Sequence, residues 1–363
     1  MIAEHAHIPA IRSAADRADL VAIADTNAER AEKIALQHNI PSFYADVTRM
    51  LEREKPQIVS ICTSNAFHGV LCRMALETGA NVFCEKPLTL SYSETKSIFD
   101  IASRTGRLVM ACQTARVNPE IFAVRDLVAD GALGKVYYAE INRIRRRGVP
   151  RWGAFHLKAT NGGGAFCDIG VHQIDALLWM LGNPKLKRIS GVSSSNIVRE
   201  GETVSTSLRE SGASLGVTQQ TNYPPEAFEV EEFASGSMVL ENNLAVNFKV
   251  AWAANLPDCS QLLLAGNKAG ATLPDLNVWG VYHGMQADFK PRVLTEIPYA
   301  DHPFKGHFFL VDNFASAVLG ETEPFVLPAE TINTAAVIDG FYRSVESGRE
   351  IGIDEIKAGI ERG

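Results

Sequence analysis

Between residues 20 and 115, short apolar runs alternate with helix-length amphipathic stretches, and this rhythm limits the possible folds more than any other feature. Residues 20–24 (Leu-Val-Ala-Ile-Ala) read as a strand closed by Asp25, and 26–38 as a helix capped at Thr26 or Asn27. Residues 58–62 read as a second strand, ending at Thr63-Ser64-Asn65, and 67–78 as a helix stopped by Gly79. Residues 82–84 and 108–112 are further strands, separated by a helix over 91–105. Strands linked by helices of this length predict a parallel, doubly wound sheet, which collects its ligands outside the carboxyl ends of its strands.

Beyond residue 115 the texture changes. Residues 136–144 alternate like a half-exposed strand, and 168–181 read as an amphipathic helix ending at Gly182-Asn183-Pro184. Extended segments follow at 186–192, 214–220, 233–240, 245–251 and 261–265, joined by turn residues such as Glu241-Asn242-Asn243. They predict a mostly antiparallel sheet with helices on one face, closed by helices over 307–319 and 329–347. Residues 199–211 are polar and read as a loop. Two domains are expected: residues 1–115, of Rossmann type, and residues 116–363, an α/β domain for substrate binding and oligomerisation.

A chain of 363 residues accommodates two full cores, and its 46% hydrophobic and 21% charged residues are ordinary for a water-facing globular protein. The net charge of −7 argues against nucleic acid or anionic membrane as the main partner. The one basic cluster, Arg143, Arg145, Arg146 and Arg147, reads first as a solvated strand end and second as a substrate-facing or partner-facing group. Six cysteines, at 62, 72, 84, 112, 167 and 259, show no paired spacing, so neither a disulfide frame nor a zinc ribbon is expected. With no signal-like or membrane-length apolar run, a reduced cytoplasm is the expected location.

Two short motifs carry the chemistry. Glu85-Lys86-Pro87 ends the apolar run 80–84, which places a lysine at the carboxyl edge of the sheet. The run from Gly162-Gly163-Gly164 to Asp168-Ile-Gly170-Val-His172 opens a helix, and Asp168 and His172, four apart, share one face. One ammonium, one carboxylate and one imidazole are enough to move a proton to or from a hydroxyl. Lys86 is the best candidate to bind the reacting oxygen and favour an alkoxide-like transition state. His172 is the candidate general base, with a core histidine as the alternative. Asp168 would orient the substrate or the imidazole, or would simply sit at a helix N-terminus.

In a dinucleotide-binding unit the acid that holds the ribose lies ~20 residues after a glycine turn. Asp25 fits that acid. Counting back, Met1-Ile2-Ala3 occupies the last three positions of Gly-x-Gly-x-x-Gly/Ala, with Ala3 as the final small residue and 4–13 as the first helix. The first strand and two leading glycines would then lie upstream of Met1, which favours an incomplete start; a complete chain that binds dinucleotide weakly is the alternative.

These residues resemble the Gfo/Idh/MocA (glucose–fructose oxidoreductase/inositol dehydrogenase) family. The resemblance rests on His7-Ile-Pro9-Ala-Ile, Ala24-Asp25, Thr63-Ser-Asn65-Ala-Phe-His68, Glu85-Lys86-Pro87-Leu, Asp168-Ile-Gly170-Val-His172 and Phe341-Tyr-Arg-Ser344, and it spans nearly the whole chain. It departs at the glycine turn and at Ser64, where many relatives carry proline. The resemblance implies a Rossmann domain, an open-sheet domain that forms homo-oligomers, a nicotinamide cofactor and alcohol–ketone interconversion on a sugar, cyclitol or polyol. Asp25 favours NAD, while Arg30, one turn into the next helix, leaves room for NADP. Ala3, Thr26, Thr63, Asn65, His68, Glu85, Lys86 and Gln113 complete the expected cofactor contacts. Arg147, Trp152, His156 and Tyr282 are the expected substrate contacts, and no metal ligands are expected. The segment around Trp152 is similar to that of relatives acting on glucosides, including those that oxidise C3. Two other functions stay open: a glycosidase that retains NAD, and a sugar-binding relative without catalysis.

Overall fold

The computed structural model describes residues 2–359 apart from 202, 203, 205, 206, 214–216 and 218. The chain divides into two compact units. The first contains Met1–Thr89, Glu94–Thr114 and Pro298–Pro328; the second contains Leu90–Ser93, Ala115–Ile297 and Ala329–Gly363. Residues 298–328, grouped with the second domain on sequence, thus cluster with the first unit.

In the first unit β1 (Ala22–Ala24) pairs in parallel with β2 (Ser42–Tyr44), and β3 (Ile58–Ile61), β4 (Asn81–Cys84) and β5 (Val109–Ala111) form a second parallel sheet with β4 central. All four residues of β4 are buried, which explains its unbroken apolar run. The polar exception is Asn81, which donates to Gln57 O (2.9 Å) and accepts from Leu108 N (2.9 Å), tying the start of β4 to both neighbours. The helix Ala28–Gln37 is capped by Asn27, whose Oδ1 accepts from Arg30 N at 2.9 Å. Sequence reading misses β2 and the helix Val47–Glu54, a three-residue, partly exposed strand and a single strongly charged helix. The helix Lys305–Val318 lies against this sheet, with Phe314 stacked on Phe83 of β4 at 5.7 Å.

The second unit is built on a nine-stranded sheet. Its strands are β6 (Val136–Ile144), β7 (Leu186–Ser194), β8 (Phe233–Leu240), β9 (Ala245–Ala251), β10 (Cys259–Gly266), β11 (Ala269–Leu273), β12 (Asn277–Tyr282), β13 (Met285–Phe289) and β14 (Ile351–Gly352). Their order is β13-β12-β11-β10-β6-β9-β8-β7-β14, antiparallel throughout except for the parallel pair β6–β9. The expected strand at 214–220 does not form at its described residues 217, 219 and 220; Ser214, Leu215, Gly216 and Thr218 lie outside the described residues. Residues 202, 203, 205 and 206 of the expected loop also lie outside them.

Phe166 joins sheet and helices, stacking on Phe341 of the helix Pro328–Ser347 at 3.9 Å and meeting Phe248 of β9 at 5.1 Å. Beneath the helix Val171–Met180, fully buried Asp175 takes a bidentate pair from Arg116 (2.6 and 2.8 Å), and Arg116 also meets Glu330. A buried guanidinium paired this fully stays charged at neutral pH.

Candidate active site

In the first unit the expected cofactor residues gather at the carboxyl ends of the parallel strands. Asp25 follows β1; its Oδ1 accepts from Asn27 N at 2.9 Å and its Oδ2 lies 3.5 Å from Arg30 Nε. Thr26 is exposed between them and does not cap the helix. Thr63 and Asn65 follow β3, with Thr63 exposed and Asn65 opening a short 3-10 turn. Ala3 lies in the first helical turn, Ala3–His7, with helical backbone already at Ile2.

His68 and Glu85 have structural partners instead of open faces. His68 is fully buried, with Nδ1 2.8 Å from Pro87 O and Nε2 3.1 Å from Thr63 O, so it ties the turn after β3 to the turn after β4. Burial lowers its pKa against the pull of those two carbonyls. Glu85 turns inward: its Oε1 meets His7 Nε2 at 2.8 Å and His307 Nε2 at 3.0 Å, and its Oε2 accepts from Lys86 N at 3.2 Å. Burial works against its ionisation, but the two imidazoles hold its pKa well below the usual range. Both residues are expected cofactor contacts, and in the structure their polar atoms hold the turns on either side of Lys86.

Gln113 differs. It is 1% exposed, follows β5, and its amide oxygen has no hydrogen-bond partner among the described residues. An orphaned buried acceptor calls for a ligand or water. With Asp25 as a carboxylate acceptor after β1 and Asn65 as an amide after β3, this donor and acceptor set fits the ribose and amide groups of a dinucleotide.

In the second unit the glycine run has a steric cause. Gly162 ends the helix Lys158–Asn161 at a φ of 78°, and a Cβ on Gly164 would lie 1.9 Å from Glu231 O. That close approach brings the Glu231 carboxylate onto Gly164 N (2.9 Å) and Phe166 N (3.0 Å), capping the helix that carries Asp168 and His172. Tyr342 also donates to Glu231, at 2.9 Å. Burial raises the pKa of Glu231 in spite of these donors.

From this mount a π-helical turn, Phe166–Gly170, carries Asp168, and His172 follows at the start of Val171–Met180. Single π turns occur often at functional sites. Trp252 Nε1 donates to Asp168 Oδ2 at 3.1 Å. Asp168 also attracts the half-buried Arg143 and Arg145, whose pKa values are lowered by burial first. These two arginines therefore face a carboxylate, whereas sequence reading treats the basic cluster as a solvated strand end.

The expected substrate residues are dispersed. Arg147 donates to Arg146 O (2.7 Å), Ala254 O (3.4 Å) and Asn255 Oδ1 (2.7 Å), so its guanidinium fastens its loop to residues 254–255. Trp152 is 9% exposed and packs edge-on against Phe155. His156 stacks on Tyr223 at 4.0 Å. Tyr282 ends β12, which stands four strands from β9 in the sheet order, ~19 Å at the usual strand spacing. Since the Asp168 turn packs on β9, Tyr282 is removed from that group. Sequence reading marks Arg143 and Arg145 only as part of a basic cluster, first as a solvated strand end and second as substrate- or partner-facing, and carries no signal for Trp252 or Glu231.

Comparison with known proteins follows the same division. Residues 1–113 match the oxidoreductase family described as having an NAD-binding Rossmann fold, and residues 121–272 match the GFO/IDH/MocA C-terminal domain. The chain is 27% identical over 335 residues to D-glucoside 3-dehydrogenase of Escherichia coli (strain K12), covering 92% of this chain and 90% of that protein. It is 27% identical over 350 residues to D-xylose 1-dehydrogenase (NADP(+)) 2 of Haloferax volcanii, covering 96% and 95%. The crystal structure of an oxidoreductase domain protein from Kribbella flavida shares the fold, with a TM-score of 0.79 at 21% identity over 97% of this chain and 96% of that one. With both of its domain types matched, the chain belongs to the Gfo/Idh/MocA family of NAD-binding oxidoreductases.

Proposed function

We propose that this protein is an NAD-dependent dehydrogenase that oxidises a secondary hydroxyl of a glucoside or related pyranoside, with C3 as the carbon attacked. The observation that carries the reading is the Asp168–His172 mount. A glycine run, a buried Glu231 and a Trp252 hydrogen bond fix a carboxylate and an imidazole on one helix end, with two arginines near the carboxylate. The D-glucoside 3-dehydrogenase relative, matched along nine-tenths of both chains, supports the substrate class.

Asp25 accepts the adenosine ribose hydroxyls, and its carboxylate disfavours a 2′-phosphate, although Arg30 at 3.5 Å softens that preference. Thr63, Asn65 and Gln113 offer further polar contacts along the same strand ends. Bound NAD supplies the hydride acceptor. Lys86 donates to the reacting oxygen and lowers the energy of its developing negative charge. His172 accepts the hydroxyl proton. Asp168 orients the substrate or the imidazole, with Trp252 holding its second oxygen. Arg143 and Arg145 attract that carboxylate. The reading includes a cytoplasmic homo-oligomer; exposed Tyr137 and Val192 on the nine-stranded sheet suit a covered face.

The test is incubation with NAD and a panel of methyl glucosides, xylose and inositol, following NADH absorbance and identifying products by NMR. The reading expects NADH formed in step with a 3-keto glucoside. Release of the aglycone without net NADH would replace it with an NAD-retaining glycosidase. No turnover of any pyranoside would overturn it.

A further inference from the structure

The first unit encloses a group of side chains that hydroxyl oxidation does not use. His7, Glu85, Cys112 and His307 each offer one ligand atom, and these atoms all lie within 4.8 Å of one another. They come from the first helical turn, the ends of β4 and β5, and the helix Lys305–Val318. His7 is 1% exposed and Cys112 fully buried, while the side chains of Glu85 and His307 are 12% and 11% exposed. The donors are therefore largely shielded from water.

We propose that these four residues form a closed site for one divalent cation of the zinc class. The donor set, two imidazole nitrogens, a thiolate and a carboxylate oxygen, is that of tetrahedral zinc. His7 Nδ1 lies 2.7 Å from Ser60 Oγ, a partner that fixes the ring and leaves Nε2 directed at the cluster, as outer partners of metal-bound histidines do. Charge balance also favours the ion, because two ligand anions, Glu85 and the Cys112 thiolate, neutralise a divalent cation in a low-dielectric pocket. Ligand atoms around tetrahedral zinc stand roughly 3.3–3.7 Å apart, so the contacts of 2.8 and 3.0 Å from Glu85 must each open by about 0.5 Å. That shift is within side-chain rotation. Four protein ligands leave no open position, so the site is structural. It would pin two strand ends to two helices immediately before Lys86. Sequence spacing does not reveal it, since the ligands come from four distant segments.

The test uses the full chain, dialysed against a chelator under reducing conditions and then titrated separately with zinc sulfate and cobalt chloride. The proposal expects one equivalent of metal per chain, a higher melting temperature, and a thiolate-to-cobalt charge-transfer band with intense tetrahedral visible bands. Cys112→Ala removes the charge-transfer band and weakens zinc binding by more than ~100-fold, while Ser60→Ala weakens it by about 10–100-fold. His307→Ala weakens zinc binding while leaving a thiolate band. Absence of a stoichiometric metal overturns the proposal, as does a wild-type cobalt complex without a thiolate band. So does a Cys112→Ala protein that binds with unchanged spectrum and affinity. The wild-type spectrum decides the matter even if a variant fails to fold.

Discussion

Replacing Gly164 by alanine tests the mount of the reactive helix. The new Cβ would lie 1.9 Å from Glu231 O, 2.8 Å from its carbonyl carbon and 2.9 Å from its nitrogen. All three are backbone atoms, so no side chain can rotate away. Relief to an ordinary contact of 3.4 Å requires the two segments to part by 1.5 Å, the difference from 1.9 Å. Three hydrogen bonds span that gap: Ala165 N to Glu231 O (3.0 Å), Gly164 N to Glu231 Oε2 (2.9 Å) and Phe166 N to Glu231 Oε1 (3.0 Å). At about 1 kcal/mol for the amide pair and 1–3 kcal/mol for each carboxyl bond, their loss amounts to roughly 3–7 kcal/mol. Removing a glycine from the unfolded chain returns about 1 kcal/mol. The net loss of roughly 2–6 kcal/mol is a large share of a typical stability of about 5–15 kcal/mol. Denaturant unfolding by circular dichroism measures it, and turnover should fall with it. Gly163→Ala is the control, because its Cβ meets the hydroxyl end of Tyr342, which can swing aside at the expense of one bond, about 1 kcal/mol. If Gly164→Ala unfolds within about 0.5 kcal/mol of wild type, the steric account of the glycine run is wrong.

Three further substitutions probe other parts of the account. Trp252→Phe removes the 3.1 Å hydrogen bond to Asp168 and should lower kcat by about 10–100-fold with NAD affinity unchanged, from a charged-group bond of about 1.5–3 kcal/mol; unchanged kcat in steady-state assays would remove Asp168 from the reaction. Asp175→Asn leaves the buried Arg116 with Glu330 as its remaining carboxylate partner among the described residues, and should destabilise by about 3–5 kcal/mol in thermal unfolding; a loss below about 1 kcal/mol would contradict a charged buried pair. His156 has its pKa lowered from 6.5, chiefly by burial, so the unfolded chain binds the proton more readily and stability is lost as pH falls through and below 6.5. His156→Phe keeps the stack on Tyr223 without the titration, so its melting temperature should gain on wild type as pH is lowered; a difference independent of pH would refute the assignment.

Much of the first unit is legible in the sequence because β4 and β5 are buried on both faces. Unbroken apolar runs such as Val82-Phe83-Cys84 can hardly be surface structure, and Lys86 directly after one is conspicuous. The strand β2, three residues with one exposed and two half-buried, carries no such pattern. The helix Lys305–Val318 is visible as a helix, but its attachment to the first unit runs through tertiary contacts such as the stack of Phe314 on Phe83 and the His307–Glu85 pair, which no local pattern encodes. The same limit applies to the reactive centre. Asp168 and His172 are readable from spacing along one helix, whereas Trp252 and Glu231 reach that helix only through tertiary contacts. Nothing local in the sequence places Tyr282, and strand order separates it from the Asp168 group. His68 and Glu85 sit at the expected strand ends, and their partners, the Pro87 and Thr63 carbonyls and the His7 and His307 imidazoles, come from other segments that spacing does not reveal.

The most direct test of sugar oxidation through Lys86 is single-turnover NADH formation from a methyl glucoside, comparing wild type with Lys86→Ala after NAD binding and melting temperature have been checked for both. The account predicts a burst of NADH in wild type and a loss of about 100–10,000-fold in the variant at preserved cofactor affinity. A variant that keeps more than about a tenth of the wild-type rate contradicts the role of Lys86, because an ammonium acting on the reacting oxygen contributes far more than that.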